Sequence, residues 1–316
     1  MKLRTLAFAL AFGMASSAQA DAVKNIEIIA PAGPGGGYDQ LARSTQQSLQ
    51  DLKLAGDIQV VNRPGAGGTI GLAEFVSKKY PDTGLIVTGI GMVGSILTNN
   101  APVTMDQTKP IARMTGEYLT LVVPADSPLK NMDDLVKAFK ADPGSVSLGG
   151  FAAGGVDHLL YGMIVKAIGG DLSKMNYVAI GAGGEMLGQV MGGHISVGAG
   201  GYSEFAGQIS AGTVRALGIS SATRLEGIDV PTMKEQGVDV ELVNWRGFLG
   251  QANLSEEQTK DLDAAFSKMA QSPEWQATLK KHGWVDLYQP SAEFAAYIKE
   301  QQATVLTTFR ELKLVE

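Results

Sequence analysis

Two short stretches of the sequence carry the same pattern of glycine and acidic residues. Gly-Gly-x-Asp-x-Leu occurs at 36–41 as GGYDQL and again at 154–159 as GGVDHL. Each copy follows a short apolar run and precedes a segment with helical spacing. Glycines at such a place let an anion approach the first backbone N–H groups of the helix, which have no partner inside it. The repeat therefore predicts two anion-binding loops that could hold one anion across a cleft.

The acidic residue of each loop can be interpreted in two ways. Asp39 and Asp157 both fall in the first turn of a predicted helix, where the helix dipole favours a negative charge without any ligand. A carboxylate beside a bound anion would repel it, unless the carboxylate accepts bonds from loop N–H groups or orients bridging waters. Each Asp is thus either a helix cap or part of a site, and the repeat favours a functional role for the loops more than for the carboxylates.

Signatures of enzymes and cofactors are weak or missing from the sequence. Gly89 to Gly94 reads G-x-G-x-x-G, but only SILTNN follows before Ala101-Pro102, which is too short for the helix of a dinucleotide site. The sequence has no P-loop motif, no G-x-S-x-G elbow and no Cys, and its three His residues are far apart. We therefore predict no cofactor, no metal site and no catalytic residues, so that the protein is not an enzyme.

Two further positions each allow a binding role and a plain structural one. His158 stands beside Asp157 and could touch a ligand, although an ordinary histidine on a helix surface is the favoured interpretation. Arg246, in the stretch NWRG, could clamp a carboxylate through its forked guanidinium or pair with a surface acid.

The first twenty residues have the layout of an export signal. Lys2 and Arg4 give a positive start, Leu6 to Ala15 form a short apolar run, and Ala18-Gln19-Ala20 is a small-x-small cleavage site. We therefore predict cleavage after Ala20 and a periplasmic location. No later stretch reaches about 18 consecutive apolar residues, so we expect no membrane span.

Composition limits the class of protein. The chain has 316 residues, a formal net charge of −6 and no Cys, so it needs no disulfide after export. No basic patch is visible, which argues against a nucleic-acid partner. The 40 glycines exceed the usual share of about 7% and cluster where predicted strands end. At about 100–200 residues per domain, the length suggests two lobes.

Strand-like and helix-like segments alternate in two series, which predicts α/β lobes with mainly parallel sheets flanked by helices. The first series has strands at 26–30, 58–61 and 85–88 and helices at 40–54 and 68–79. The second has strands at 145–148, 177–180, 195–199 and 214–219 and helices at 132–141, 156–168, 185–191 and 203–210, and helices near 256–271, 274–282 and 292–312 end the chain. We predict a signal peptide at 1–20, lobe I at 21–120 plus 226–316, and lobe II at 121–225.

Several stretches resemble one family in the same order along the chain. PAGPGGGYDQLAR at 31–43 resembles the P-x-x-P-G-G-x-x-D-x-x-A-R signature of periplasmic binding proteins of tripartite tricarboxylate transporters, the Bug family. VVNRPGAGGTIG at 60–71 resembles the family element N-x-x-G-A-G-G-x-x-G, and VVPADSPLKNMDDLV, SLGGFAAGGVDHLL and NWRGFLG match further stretches. The resemblance covers essentially the whole chain after the signal.

The resemblance implies a type II clamshell whose two lobes close on a carboxylate held by main-chain N–H groups, often with ordered waters. By motif match it implies a ligand site made of Gly35, Gly36, Gly37, Tyr38, Asp39, Asn62, Gly67, Gly68, Gly154, Gly155 and Asp157. Thr88 and Gly89 lie at a third predicted strand end, and Tyr202 and Glu204 are added from their strand-end position alone.

The function implied by the resemblance is that of a monomeric receptor that delivers a di- or tricarboxylate to the permease of a tripartite tricarboxylate transporter. The stretches 192–202 and NWRG are more similar to citrate or tricarboxylate binders than to amino-acid binders. Many relatives have Thr or Ser in the second loop where this chain has Ala152-Ala153, so backbone and water should do more of the binding. One alternative is an adaptor that presents a carboxylic acid, which could be aromatic, to a sensor kinase. The other is an exported enzyme that acts on a carboxylate.

Overall fold

The structure, a computed structural model, describes residues 23, 25–80, 82–180 and 183–316, which contain ten strands and ten α-helices. The strands are β1 (Ile26–Ala30), β2 (Ile58–Asn62), β3 (Thr83–Gly89), β4 (Thr108–Pro124), β5 (Ser147–Gly150), β6 (Asn176–Ala179), β7 (Val197–Gly201), β8 (Val214–Ile219), β9 (Val243–Gln251) and β10 (Val285–Pro290). The helices are α1 (Gly37–Asp51), α2 (Thr69–Ser77), α3 (Ile90–Thr98), α4 (Met132–Ala141), α5 (Val156–Ala167), α6 (Gly183–Met191), α7 (Tyr202–Ser210), α8 (Glu256–Ala270), α9 (Pro273–His282) and α10 (Ser291–Glu311). The predicted signal peptide, residues 1–20, lies outside the described residues.

The strands form a mixed sheet in the order β2-β1-β3-β9-β4-β7-β5-β6, and β8 and β10 also pair with β4. β1 runs parallel to β2 and β3, and β5 runs parallel to β6 and β7. β9 is antiparallel to β3 and β4, and β4 is antiparallel to β7. Two groups of parallel strands, each built from crossover connections, are therefore joined through antiparallel strands.

The long strand β4 belongs to both parts of this sheet. Its residues 108–118 pair with β9, whereas 119–124 pair with β7 and β8. Leu119, Leu121 and Val123 are fully buried, as expected for a strand covered on both faces. The strand thus continues from one part of the sheet into the other without a loop.

Ser220, just after β8, ties three segments together where the two parts of the sheet meet. Its backbone N–H donates to Leu119 O (2.9 Å), and its backbone oxygen accepts from Leu242 N (3.0 Å). Its hydroxyl accepts from Leu119 N (2.9 Å) and donates to Leu242 O (2.6 Å). β4, the segment after β8 and the segment before β9 are therefore bonded to one buried residue.

Apolar side chains pack in three clusters around the sheet. The largest runs through both parts of the fold and includes Phe75, Leu160 and Phe309. A second cluster lies under α1, α8 and α9, and a third lies under α6 and α7. Helix α10 contacts β4, α3 and α5, so it also connects the two parts.

Most predicted helices match the structure within a few residues, and α4 and β8 have the predicted bounds. The sequence analysis gave no bounds for β4, β9 or β10, which pair with one another in antiparallel fashion. β9 reads VNWRGFLGQ, where Arg and Gly interrupt the apolar residues and no regular alternation is visible. Of the helices that the structure describes, none combines the length and the apolar character that a bilayer span requires.

Candidate functional site

The first Gly-Gly-x-Asp loop connects β1 to α1 and is held by the carboxylate of Asp39. Asp39 is buried and accepts hydrogen bonds from Gly35 N (2.8 Å), Asn62 Nδ2 (2.8 Å) and Arg43 Nε (2.9 Å). Burial acts to raise the pKa of Asp39, but the bonds from Arg43, Gly35 and Asn62 outweigh it and the pKa lies below its usual value. Asp39 is therefore an ionised carboxylate whose hydrogen bonds stabilise the conformation of the loop.

The start of α1 presents backbone N–H groups to the space in front of this loop. Gly36 is the N-cap residue and, as a glycine, has no side chain that could cap the helix. The first helical hydrogen bond is made by Gln40 N to Gly36 O (2.9 Å). The N–H groups of Gly37, Tyr38 and Asp39 precede that bond and are free to bind an anion.

The second loop connects β5 to α5 and is held by Asp157. The carboxylate accepts a bond from Phe151 N (2.9 Å) and contacts the hydroxyl of Tyr177. Gly154 N donates to His158 Nδ1 (3.1 Å), and Gly155 N donates to Ala152 O (2.9 Å). The N–H groups of both predicted glycines are thus used inside the loop.

Burial shifts both titratable groups of the second loop toward their neutral forms. Asp157 is 1% exposed, and burial raises its pKa to about 6 against the opposing effect of the bonds from Tyr177 and the backbone. Burial lowers the pKa of His158 to about 4, and its ring stacks on Tyr177 with centroids 3.9 Å apart. His158 is therefore a buried, neutral part of the loop. The sequence analysis had favoured a histidine on the helix surface, and that interpretation was wrong.

The glycine-rich start of α3 lies against the second loop. A Cβ added at Gly94 would be 2.2 Å from Gly154 O, and one added at Gly154 would be 2.5 Å from the Thr98 side chain. Gly154 also has φ +74°, which favours glycine. The G-x-G-x-x-G stretch therefore includes a glycine that lets α3 approach this loop closely.

Arg246, on β9, lies between the first loop and the second part of the sheet. It is 5% exposed, it is paired across the sheet with Gly89 and Thr115, and its Nη2 donates to Glu117 Oε2 (3.1 Å). A Cβ added at Gly37 would be 2.5 Å from Arg246 Nη2, so the guanidinium lies directly against the first residue of α1. In the described part of the chain, Arg246 Nη1 has no hydrogen-bond partner.

Glu117, on β4, connects Arg246 to the start of α7. It is buried, and its Oε1 accepts a bond from Ser203 Oγ (2.5 Å). Glu204 follows Ser203 in the first turn of α7, and its Oε2 lies 2.9 Å from the Cβ position of Gly200. Glu204 as a residue is exposed, but the protein around its carboxylate removes water from it. This desolvation and the negative charge of Glu117 raise the pKa of Glu204 to about 7, while Arg246 acts to lower it.

The remaining predicted residues lie around the same strand ends. Tyr38 is half-buried, and its Oη accepts a bond from Met92 N (3.2 Å), while its ring lies over Gly89. Burial raises the pKa of Tyr38 to about 12, although Arg246 and the Met92 N–H act to lower it. Tyr38 therefore links the starts of α1 and α3 as a neutral phenol.

Some of the predicted residues serve packing in this structure. Thr88 is fully buried, and its hydroxyl faces the sulfurs of Met92 and Met105. Gly67 and Gly68 precede α2, where a Cβ would be 1.9 Å from Ser95 Oγ or 2.9 Å from Met92 Cε. Asn62 donates to Ala32 O (3.0 Å) as well as to Asp39, and Tyr202 is the half-buried first residue of α7.

Sequence reasoning named Arg246 as a possible carboxylate clamp without including it among the site residues, and it missed Glu117. Arg246 was noticed in NWRG, but its partner was not, because 129 residues separate it from Glu117. The available signal was a lone acidic residue between Gly116 and the apolar run YLTLVV of a buried strand. A buried charge of this kind needs a partner, and Arg246 is that partner.

A separate groove of about 580 Å³ lies beside the C-terminal end of α10. Its lining comes from α3, α10 and the last residues of the chain, including Thr98, Arg310 and Val315. Neither Gly-Gly-x-Asp loop contributes to it. We therefore take the two loops and Arg246, and not this groove, as the candidate functional site.

The fold is that of periplasmic solute-binding proteins of the α/β type. The structure of a TctC solute binding protein from Polaromonas is similar with a TM-score of 0.70 and 25% identity, covering 91% of this chain and 98% of that one. Two less similar sequences share the fold: MatC from Rhodopseudomonas palustris with bound malate, at TM-score 0.77 and 19% identity, covering 90% and 99%, and an R. palustris protein with adipate, at 0.83 and 18%, covering 92% and 97%.

The chain belongs to the family described as tripartite tricarboxylate transporter family receptor, which matches residues 41–314. A UPF0065 protein in the gbd 5′ region of Cupriavidus necator is 26% identical over 302 residues, which are 94% of this chain and 90% of that protein. The family resemblance predicted from the motifs is thereby confirmed, as is the α/β fold. Membership also implies the periplasm as the location of the protein.

Proposed function

We propose that this protein binds a small carboxylate in front of α1 and delivers it to the membrane permease of a tripartite tricarboxylate transporter. The observation that carries the proposal is the buried Arg246 guanidinium, whose Nη2 lies against Gly37 and whose Nη1 lacks a partner among the described residues. A guanidinium next to free helix N–H groups matches the forked shape and the charge of a carboxylate. The ligands bound in two structural neighbours, malate and adipate, support the same class of ligand.

The second loop has a different role in this proposal. Its N–H groups at Gly154 and Gly155 are used within the loop, and Asp157 is bonded to Phe151 N. We propose that it forms the opposite wall of the site and reaches the ligand through water, as expected where Ala152-Ala153 replaces hydroxyl side chains. Asp39 and Asp157 then act by holding the loops and not by touching the ligand.

We further propose that the two parts of the fold move as lobes, with 21–120 plus 226–316 forming one and 121–225 the other. The contact of Gly94 with Gly154 O then belongs to a closed state, because it joins α3 of one lobe to the second loop of the other. Ligand binding would shift the equilibrium toward this state. The proposal requires no chemical step, and it makes the protein a receptor and not an enzyme.

A binding screen tests this function. Protein that begins at Asp21 is unfolded and refolded to remove carried-over ligand, and its melting temperature is measured with citrate, tricarballylate, malate, succinate, aspartate, glutamate and terephthalate. A ligand at 100 times its Kd should stabilise the fold by roughly 2.7 kcal/mol. We expect a clear rise with at least one acid and recovery of that acid unchanged by mass spectrometry. Folded protein without any shift, or conversion of the acid, would contradict the proposal.

A further inference from the structure

The charged groups around the start of α1 are unequally matched. Asp39 is paired with Arg43, and Glu117 is paired with Arg246 and also accepts from Ser203. Glu204, in contrast, has no ion-pair partner within the described residues. Asp157 also lacks an ion pair, but its carboxylate accepts a bond from Phe151 N. Among the described acidic groups of the site, Glu204 is therefore the one whose carboxylate remains without a bonded partner.

The charges of Glu117 and Arg246 both act on the Glu204 carboxylate, and the start of α7 is bonded to the same pair. Ser203 Oγ is 2.5 Å from Glu117 Oε1, and Glu117 Oε2 is 3.1 Å from Arg246 Nη2. Arg246 Nη2 in turn lies against Gly37, so three consecutive contacts lead from the start of α7 to Gly37. Ser203 and Glu204 are adjacent in the first turn of α7. A ligand that reaches Arg246 from the solvent side meets the field of Glu204.

This arrangement disfavours a ligand that is negatively charged throughout. Arg246 is already half used by Glu117, so one additional carboxylate on the ligand can be balanced by its free Nη1 and the α1 N–H groups. A second or third carboxylate of the ligand near Glu204 would be repelled by its negative charge. Repulsion between like charges is a common means by which a binding site rejects the wrong ligand. A positively charged group at the same position would instead gain a partner.

We propose that Glu204 is a specificity-determining residue that selects a ligand carrying an ammonium or similar cationic group together with its carboxylate. The inference rests on the proposed function, and it replaces the citrate-like ligand favoured by the sequence with an amino-carboxylate. Arg246 and the start of α1 hold the carboxylate end, and Glu204 accepts a charge-assisted hydrogen bond from the cationic end.

The test compares matched ligands that differ only by an ammonium group. Titration calorimetry at pH 7.5 measures the affinity of refolded protein for succinate against aspartate and for propionate against β-alanine. We expect the amino member of at least one pair to bind about tenfold more tightly or better, because one well-placed charge pair contributes on that scale. We expect Glu204→Gln to reduce this ratio by about tenfold, mainly by weakening the amino member.

A control variant separates this effect from a general change of charge. Glu256 is an exposed acidic residue in the first turn of α8, on the part of the fold away from α7. Glu256→Gln should leave both affinities and their ratio unchanged. Circular dichroism and the melting temperature without ligand confirm that both variants are folded.

The outcomes distinguish the inference from the function on which it rests. Binding of succinate as tight as or tighter than that of aspartate would overturn the selectivity but not the role as a carboxylate receptor. Binding of citrate, with no binding of aspartate or β-alanine, would have the same consequence. A preference for the amino member that Glu204→Gln does not change would overturn the role of Glu204. Failure of every acid to bind folded protein would overturn the proposed function and the inference together.

Discussion

At the scale of single residues, the site depends on the close approach of Arg246 to Gly37. The guanidinium occupies the space that any side chain at position 37 would fill, since a Cβ there would be 2.5 Å from Nη2. Displacing the guanidinium would also strain its bond to Glu117 Oε2. A glycine at this position therefore joins the helix start and the arginine into one anion site.

Gly37→Ala should weaken carboxylate binding strongly, by tenfold or more, because the methyl group separates Arg246 from the free N–H groups of α1. Gly33→Ala in the same loop is the control, since in the described structure no atom lies within 4 Å of an added Cβ there. Titration calorimetry with the acid that gives the largest thermal shift measures both variants. Equal affinity of the Gly37 variant and the native protein would argue against this site.

The hydrogen bonds around Asp157 indicate that its carboxyl group is protonated at low pH, which predicts how the stability of the fold depends on pH. Tyr177 Oη lies 2.8 Å from Ala152 O and also contacts Asp157, but it has one proton to donate. A protonated Asp157 can donate to Tyr177, which then donates to Ala152 O. This agrees with the pKa of Asp157, which burial raises to about 6.

A carboxyl group whose pKa is raised on folding stabilises the fold at low pH and loses that contribution as the pH rises through the folded pKa. The pKa of Asp157 rises from 3.8 to about 6. The free energy of unfolding of native protein, relative to Asp157→Asn, should therefore fall by about 2 kcal/mol between pH 4.5 and 7.5. Urea unfolding of both proteins at the two pH values measures this difference in the free energy of unfolding. A difference that does not change with pH would contradict the prediction.

The residue types of the site could be predicted only in part. Both Asp residues were placed in first helical turns, but whether they cap or bind was open, because sequence does not show where their bonds go. Their partners Asn62 and Tyr177 follow them by 23 and 20 residues along the chain. Asn62 was found through its family motif, whereas Tyr177 and Glu117 lie outside any motif that was used.

At the scale of secondary-structure elements, helix starts at strand ends determine where the site lies. α1, α3, α5 and α7 begin directly after β1, β3, β5 and β7 or after a short loop. This is the place where open α/β sheets bind ligands. The alternation of strands and helices made this arrangement predictable, whereas β9, which brings Arg246 to the site, was not.

The junction at Ser220 offers a test at this scale. Ser220→Ala leaves Leu119 N and Leu242 O without their side-chain partner, and both belong to segments that cross between the parts of the sheet. We expect the free energy of unfolding to fall by about 1–3 kcal/mol. Urea denaturation measures the change.

Ser221→Ala is the matched control for this prediction. Ser221 is equally buried, but its hydroxyl donates locally to Thr223 O (2.7 Å) and does not join crossing segments. Its loss should cost less than the loss of the Ser220 hydroxyl. Equal stability of both variants would show that the junction does not depend on the Ser220 side chain.

At the scale of the whole molecule, three elements hold the two parts of the fold together. β4 pairs in both parts, α10 packs on α3 and α5, and α3 meets the second loop at Gly94 and Gly154. The two-lobed organisation and its boundaries remain predictions, since they concern motion. The family motifs, which recur in order along the chain, carried most of what could be predicted at this scale.

The relation between the lobes could not be predicted from motifs, because contacts such as that between Gly94 and Gly154 join segments far apart in the chain. Gly94 was considered only as part of a dinucleotide pattern, which was rejected, and its structural role in the close approach of α3 to the loop was not foreseen. A pattern of glycines shows that something comes close to the backbone, but it does not show what.

The most direct test is a crystal structure of refolded protein with the acid that gives the largest thermal shift. We predict that one ligand carboxylate lies about 3 Å from the N–H groups of Gly37 and Tyr38 and from Arg246 Nη1. A carboxylate bound elsewhere, with Arg246 Nη1 contacting only protein or water, would contradict the account.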